Sequence, residues 1–272
     1  MISNDPTELK FRILTQYIQS RKSVLVAFSG GIDSMLLSLL AHRVHGSNAH
    51  AVTVISEFFI KREISFVERF VDEFHVSHSF LEVSLLENER IFVNPENRCY
   101  LCKRRICENL LIEARAKGFD VVFDGTNVDD LSEDRPGIRA LHELGIVSPY
   151  VEAGIDKQDI LRYAESCGLK SYIHPSNTCL ATRIPAHVPL HEEVLKMVEE
   201  AESFMHDHGF DVVRVRYHEP CLARIEVMDA SLPRLLQPAL KMELIAHFKS
   251  LGFKGISIDM EGIRKGDSLQ LW

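Results

Sequence analysis

Apolar residues recur along this chain with two different periods, and the exchange between the two predicts the architecture. Leu9, Ile13, Leu14, Tyr17 and Ile18 fall at helical spacing, which predicts an amphipathic helix over residues 7–20. Residues 23–28 form a short apolar run. Ser29-Gly30-Gly31-Ile32-Asp33-Ser34 follows, and then an apolar, helix-favouring stretch over 35–44, so the order is strand, glycine turn, helix. A strand over 51–55, a helix over 64–74 and a strand over 79–83 come next. An irregular stretch to Asn97 leads to a helix over 103–117 and a fourth strand over 121–123. Strands alternating with helices imply an α/β fold with a parallel sheet and right-handed crossovers. The apolar runs lack strict alternation, as suits strands covered on both faces.

The second half of the chain reads differently. Residues 124–137 hold two glycines, a proline and five acidic residues, a loop at the carboxyl end of the fourth strand, where such sheets bind ligands. A helix over 154–167 ends at Gly168, and residues 172–189, with three prolines, are irregular. The domain boundary is placed there, giving an α/β domain over 1–185 and a small α+β domain over 186–272. In the latter, Val194, Leu195, Val198 and Ala201 predict a helix over 191–205. Alternation over 211–217 and 223–228 predicts two half-buried, paired strands. A helix over 232–251, limited by Pro233 and Pro238, and a run over 254–259 complete it.

Composition narrows the function. The 272 residues are 46% hydrophobic and 26% charged, enough for one large or two modest cores. The net charge of −8 has the wrong sign for a protein that wraps nucleic acid, so no nucleic-acid partner is expected. No apolar run approaches the roughly 18 residues of a spanning helix, so no membrane partner is expected either, and the location is expected to be cytoplasmic. Six cysteines are too sparse for a disulfide scaffold and fit reduced thiols or metal ligands.

The glycine turn carries the most specific chemistry. Ser29 to Ser34 reads SGGIDS, the signature of the PP-loop ATP pyrophosphatases; the Walker loop GxxxxGKS/T does not occur. Gly30 and Gly31 let backbone N–H groups close around phosphate, and the following helix offers its positive end. Ser29 and Ser34 add hydroxyl donors, and Asp33 can hold Mg²⁺ against the pyrophosphate of ATP cleaved between its α and β phosphates. Ser56 and Glu57, at the carboxyl end of the second strand, are candidates to meet the adenosine; a solvated loop is the competing reading.

Cys99-Tyr100-Leu101-Cys102 is a CxxC in an irregular segment opening a helix, beside Lys103, Arg104 and Arg105, surroundings that favour thiolates. Seventy-six residues separate Cys179 from Cys102. Three cysteines can hold three irons of a 4Fe–4S cube. A structural zinc with His174 as fourth ligand, or a plain reactive thiol, are the alternatives. Cys107 and Cys167 fall in helices and are expected to be small buried apolar residues.

Arg214 and Arg216 stand two apart on one strand, so both guanidinium groups share a face suited to phosphate, which Arg183 could join. The plainer reading is a solvated strand face with Glu219 and Glu226 as counter-charges. Glu202, on the preceding helix, reads like Glu226 as an ordinary surface acid.

Nearly end to end, the chain resembles the LarE family, ATP-dependent sulfur transferases of nickel-pincer nucleotide biosynthesis. The resemblance rests on SGGIDS (29–34), DGTNxDD (124–130), RPG (135–137), SPYVEAGIDKQDI from Ser148, CLATRIP (179–185), VRVRYH (213–218) and ARIE (223–226). It implies a PP-loop domain followed by a small substrate-binding and oligomerisation domain, in a homo-oligomer. The implied substrate is a pyridinium biscarboxylate mononucleotide, whose carboxylate is adenylated by ATP and Mg²⁺ and then becomes a thiocarboxylate. By the same resemblance Gly125 and Asn127 join the nucleotide site, and Arg183, Arg214 and Arg216 bind the substrate phosphate, with Glu202 and Glu226 lining that site. Some members sacrifice a cysteine, whereas Cys99, Cys102 and Cys179 resemble the members in which three cysteines hold a 4Fe–4S cluster carrying the sulfide. Departures from the pattern are Asp134 for a tyrosine, Ala186-His187 for Tyr-Gly, and Tyr172 where tryptophan is common. A tRNA-thiolating PP-loop enzyme is the alternative, disfavoured by the charge and by the lack of an RNA-binding domain.

Overall fold

The computed structural model describes residues 5–132, 136–174 and 178–263. Two compact units are built from interleaved segments. Met1–Ser56, Glu63–Val83 and Asn97–His174 make the first, and Glu57–Arg62, Ser84–Glu96 and Pro175–Trp272 the second.

The first unit is the α/β body. β1 (Val24–Ala27), β2 (Ala49–Ile55), β3 (His78–Glu82) and β4 (Val121–Phe123) form a parallel sheet in the order β3-β2-β1-β4. Val24 lies opposite Ala49 on one side and Val121 on the other, so β1 is central. Its side chains divide between two cores. Val24 and Val26 join Phe11, Leu14, Ile18, Leu36 and Tyr150, while Leu25 joins Val52, Cys107, Leu110 and Leu141. That division explains why the strand is apolar without alternation.

The helices of this unit are α1 (Pro6–Gln19), α2 (Ile32–His45), α3 (Arg62–Phe74), α5 (Arg98–Lys117), α6 (Pro136–Leu144), α7 (Pro149–Glu152) and α8 (Lys157–Ser166), whereas α4 (Glu89–Phe92) belongs to the second unit. Local chemistry sets their ends. Asp5 caps α1 by accepting from the Thr7 N–H ahead of Pro6, and Asp156 and Asp159 form a reciprocal capping box at α8. Gly118 closes α5 in the left-handed conformation.

The second unit continues with α9 (Glu192–Asp207), β5 (Val213–His218), β6 (Leu222–Val227), α10 (Leu232–Leu235), α11 (Pro238–Leu251) and β7 (Gly255–Ile258). β5 and β6 are antiparallel, Val213 opposite Val227, and β7 adds parallel to β6, Leu222 opposite Gly255.

Several boundaries differ from the sequence reading for identifiable reasons. The helix expected over 232–251 is broken because Pro238 lacks an N–H and forces the preceding Gln237 to an extended conformation, ψ 129°. The helix expected from residue 154 starts at Lys157, since Gly154 takes φ +64° after the short α7. The CxxC, expected in an irregular segment, lies inside α5. Among the described residues no helix is long and apolar enough to cross a membrane.

Candidate active site

In the first unit the SGGIDS loop joins the central strand to α2. Gly30 has φ +81°, a conformation that disfavours side chains, and a Cβ there would stand 3.3 Å from Val67 Cγ2. Gly31 is the N-cap of α2, which places Asp33 and Ser34 in its first turn, where helix N–H groups point toward the loop. The Ser34 hydroxyl organises the turn. It accepts from the Ser29 N–H at 3.1 Å, donates to the Gly31 carbonyl at 2.9 Å and lies 3.2 Å from the Ser29 hydroxyl.

Asp33 is the hub. Lys157 Nζ lies 2.6 Å from its Oδ2, the Asn127 amide donates to Oδ1 at 3.4 Å, and the Tyr150 hydroxyl donates to its backbone carbonyl at 2.9 Å. Full burial raises the Tyr150 hydroxyl well above its ordinary pKa, so it stays a donor. The Lys157 N–H in turn donates to Asp129 Oδ2 at 3.0 Å. The loop after β4 approaches so closely that a Cβ on Gly125 would lie 3.1 Å from the Ser34 nitrogen and 3.3 Å from the Asp33 carbonyl carbon. Asn127 Oδ1 accepts from the Asp129 and Asp130 N–H groups, and Asp124, buried beneath, accepts from Ser148 at 2.6 Å and Thr126 at 2.7 Å. The structure thus gathers Ser29, Gly30, Gly31, Asp33, Ser34, Gly125 and Asn127 around one loop. Mg²⁺ fits the donor set if it takes Asp33 beside phosphate oxygens, with Lys157 the neighbouring cation.

The adenosine candidates lie at the end of β2. Ser56 belongs to the first unit. Glu57 belongs to the second, where it accepts from the Ser84 hydroxyl at 2.6 Å and the Leu85 N–H at 2.9 Å. Burial pushes this carboxyl up, and those hydrogen bonds outweigh it and hold the group below the usual range. Its carboxylate ties two segments together, so the solvated-loop alternative does not describe it.

Cys99 and Cys102 stand three apart within the first five residues of α5, hence on one face, with Cys99 exposed and Cys102 half-buried. Tyr100 between them is bolted down: its hydroxyl donates to Glu143 at 2.5 Å, and the Arg139 guanidinium lies 4.2 Å from its ring centre. Cys107 is buried as expected and its thiol is pushed up to about 11 by desolvation; Cys167 is half-buried. His174, the candidate fourth zinc ligand, sits edge-on to Phe66 at 4.5 Å in the first unit. Cys179 belongs to the second. Among the described residues no group of three or more His, Cys, Asp or Glu side chains is placed to hold a metal ion.

The second unit holds the arginines. Arg183, Arg214, Glu202 and Glu226 are all buried, so neither acid is an ordinary surface residue and β5 is not simply half-solvated. Arg183 Nε donates to Glu202 Oε1 at 2.7 Å and Nη2 to Oε2 at 3.1 Å. Glu202 Oε1 also accepts from the Val215 N–H at 2.8 Å. Arg216 Nε bonds both Glu226 oxygens at 3.0 Å, and Arg224, directly opposite Arg216, adds a third bond at 3.0 Å. Arg214 is the register partner of Glu226. Arg224 Nε also lies 3.5 Å from Asp259 Oδ2, so Arg214, Arg216 and Arg224 stand against two carboxylates and leave this sheet face one positive charge in excess, which suits an anion. The His218 imidazole nearby is held below its ordinary pKa by burial and then by Arg224 and Arg216.

Residue reading missed Lys157, Asp124, Tyr150, Thr178, Thr182 and Arg224 as parts of these sites. Lys157 had one signal, its place in the SPYVEAGIDKQDI stretch, but its reach to Asp33 spans 124 residues of sequence. Arg135 and Asp134 lie outside the described residues. Tyr172, in place of a tryptophan, is absorbed by the core: it packs on Phe66 and Phe70 and donates to Glu73 at 2.7 Å.

A parallel sheet whose central strand feeds an SGGxDS loop and a helix N-terminus defines an ATP-dependent enzyme of the PP-loop class, and the asparagine synthase family model matches residues 14–131. Across nearly its whole length the chain is similar to an uncharacterized protein of Synechocystis, 34% identical over 95% of this chain and 96% of that one. An uncharacterized protein of Methanocaldococcus jannaschii is 36% identical over 88% and 90%. The pyridinium-3,5-bisthiocarboxylic acid mononucleotide synthase of Lactiplantibacillus plantarum is 30% identical over 93% of this chain and 91% of its own. The chain belongs to the family of that synthase, the LarE family.

Proposed function

We propose that this protein is an ATP-dependent sulfur transferase acting on a pyridinium mononucleotide that bears carboxylates. What carries the reading is the Ser29–Ser34 loop, whose Asp33 is paired with Lys157, in a chain similar over 93% of its length to a synthase named for a bisthiocarboxylic acid mononucleotide. A substrate carboxylate oxygen attacks the α-phosphorus of ATP, the α–β bond breaks and pyrophosphate leaves. The acyl adenylate is then attacked by sulfur, and AMP departs with the former carboxylate oxygen. The loop amides, the Ser29 hydroxyl and the Lys157 ammonium are the donors that would meet negative charge growing on the leaving pyrophosphate, Ser34 shapes the turn, and Asp33 would hold the Mg²⁺. Arg214 and Arg216 hold the substrate phosphate.

The sulfur centre in this reading is formed by Cys99, Cys102 and Cys179. Two thiolates three residues apart on one helical face suit two ligands of a 4Fe–4S cluster, with Cys179 the third. When bound, such a cluster supplies one iron without a protein ligand, where a sulfide can be held.

Anaerobically purified protein, supplied with MgATP, sulfide and the biscarboxylate mononucleotide, should release AMP and pyrophosphate and form thiocarboxylate over many turnovers. ADP and phosphate as products would overturn the reading. Iron and acid-labile sulfide analysis with a visible spectrum tests the cluster. A stoichiometric loss of about 34 Da from Cys179 in iron-free, active protein would replace it with a sacrificial cysteine, the mass being that of H₂S lost on forming dehydroalanine.

A further inference from the structure

The resemblance groups Arg183 with the arginines that hold the substrate phosphate, yet its surroundings give it a different task. Its guanidinium is 2% exposed, and Nε and Nη2 are committed to Glu202. Nη1 reaches back to the residues around Cys179: the Thr178 hydroxyl at 2.5 Å, the Thr178 carbonyl at 3.3 Å and the Thr182 hydroxyl at 2.9 Å. A fork spent on three protein partners is poorly placed to grip a phosphate as well.

The turn it grips is held from every side. Cys179 caps the short helical turn Leu180–Arg183, and its carbonyl accepts from both the Thr182 N–H at 3.0 Å and the Thr182 hydroxyl at 2.8 Å. Leu180 N–H donates to the Phe58 carbonyl at 3.0 Å, and Arg216 Nη1 donates to the Thr182 carbonyl at 2.9 Å. Glu202 anchors the assembly to β5 through the Val215 N–H. Within this frame the Cys179 residue itself is exposed while Leu180, Ala181 and Arg183 are buried. We infer that Arg183 is a positioning residue: with Glu202 and Thr178 it fixes the backbone turn that presents the Cys179 sulfur, and it does not bind the nucleotide substrate. Arg216, bonded to both Glu226 and Thr182, is the arginine that couples the anion-binding face to that turn. This inference rests on the proposed role of Cys179 in sulfur transfer.

Arg183→Lys keeps the charge and loses the fork; Thr178→Val removes one hydroxyl partner with little change of volume and serves as the test should the arginine variant not fold. Two measurements decide. Hydrogen exchange in iron-free protein should accelerate about tenfold or more over residues 179–184 in both variants, reporting the turn without any catalysis. In steady state, thiocarboxylate formation at saturating nucleotide should fall about tenfold while KM for the nucleotide stays within about twofold and substrate-dependent pyrophosphate release persists, an uncoupling that general loss of structure does not produce. A tenfold rise in KM with kcat intact, or unchanged exchange over 179–184, would overturn the inference. Cys179→Ala separates it from the functional reading: thiocarboxylate formed at the wild-type rate in that variant would remove the sulfur role of Cys179 itself, whatever Arg183 does.

Discussion

Removing the Glu202 carboxylate should expose how much of the second unit rests on one buried ion pair. Glu202→Ala deletes three hydrogen bonds at once, two from Arg183 and one from the Val215 N–H, and leaves a guanidinium that is 2% exposed with its counter-charge gone. A buried pair broken on one side costs about 3–5 kcal/mol, because the remaining charge keeps its desolvation penalty. For a chain of this size each kcal/mol lowers Tm by about 2–4 °C, so a fall on the order of 10 °C is expected. Scanning calorimetry measures it directly. The control is the double variant Arg183→Met/Glu202→Leu, which removes both charges at similar volume and should recover at least half of the loss. A single variant that loses less than about 1 kcal/mol, or a double variant no more stable than the single, would refute the claim that the pair is buried and mutually dependent.

Gly125→Ala should cost about 1–3 kcal/mol in urea unfolding and slow pyrophosphate release, because the added methyl meets backbone atoms of Asp33 and Ser34 that cannot turn aside; wild-type values for both would show that the loop has slack. Lys157→Met, which removes the ammonium beside Asp33, should lower kcat for pyrophosphate release more than it weakens ATP binding, checked by steady-state kinetics against calorimetric titration with MgATP. His78, held down to about 4 by burial and then by His50, is neutral in the folded protein where the unfolded chain would protonate near 6.5. Its contribution to stability is therefore complete above about pH 6.5 and is lost as pH falls toward 4, and His78→Gln should flatten that slope in urea melts.

What could be read from residue order was whatever depends on neighbours in sequence. The strand, glycine turn and helix at 24–45 are local: a β-branched run, two consecutive glycines and an apolar helix former follow one another. The arginine spacing on β5 was legible for the same reason. Partners were not. Arg183 and Glu202 both carry the residue types of an exposed site, and only tertiary packing turns them into a buried pair. Nor could periodicity locate α6 and α7, because a short helix that starts at a proline and ends near a glycine offers too few turns for an apolar stripe. The CxxC was misplaced because Arg98, Lys103, Arg104 and Arg105 surround it and interrupt the apolar spacing at the start of the helix.

The interleaving of the two units also sets an order of events during synthesis. The chain passes from one unit to the other five times, after Ser56, Arg62, Val83, Glu96 and His174. All four strands of the parallel sheet have been translated once Phe123 is made, whereas the segments 57–62 and 84–96 wait for partners not yet translated. The Phe58 carbonyl is met by the Leu180 N–H, and the Asn94 side chain by the carbonyls of Pro185 and Val188. A released chain that ends between 148 and 174 therefore carries the four strands and the Val147 bridge at the edge of β4, with two unsatisfied insertions. Stalled or truncated products of that length should be cut by protease within 57–62 and 84–96 first, and the two units cannot be separated by any single cleavage of the backbone.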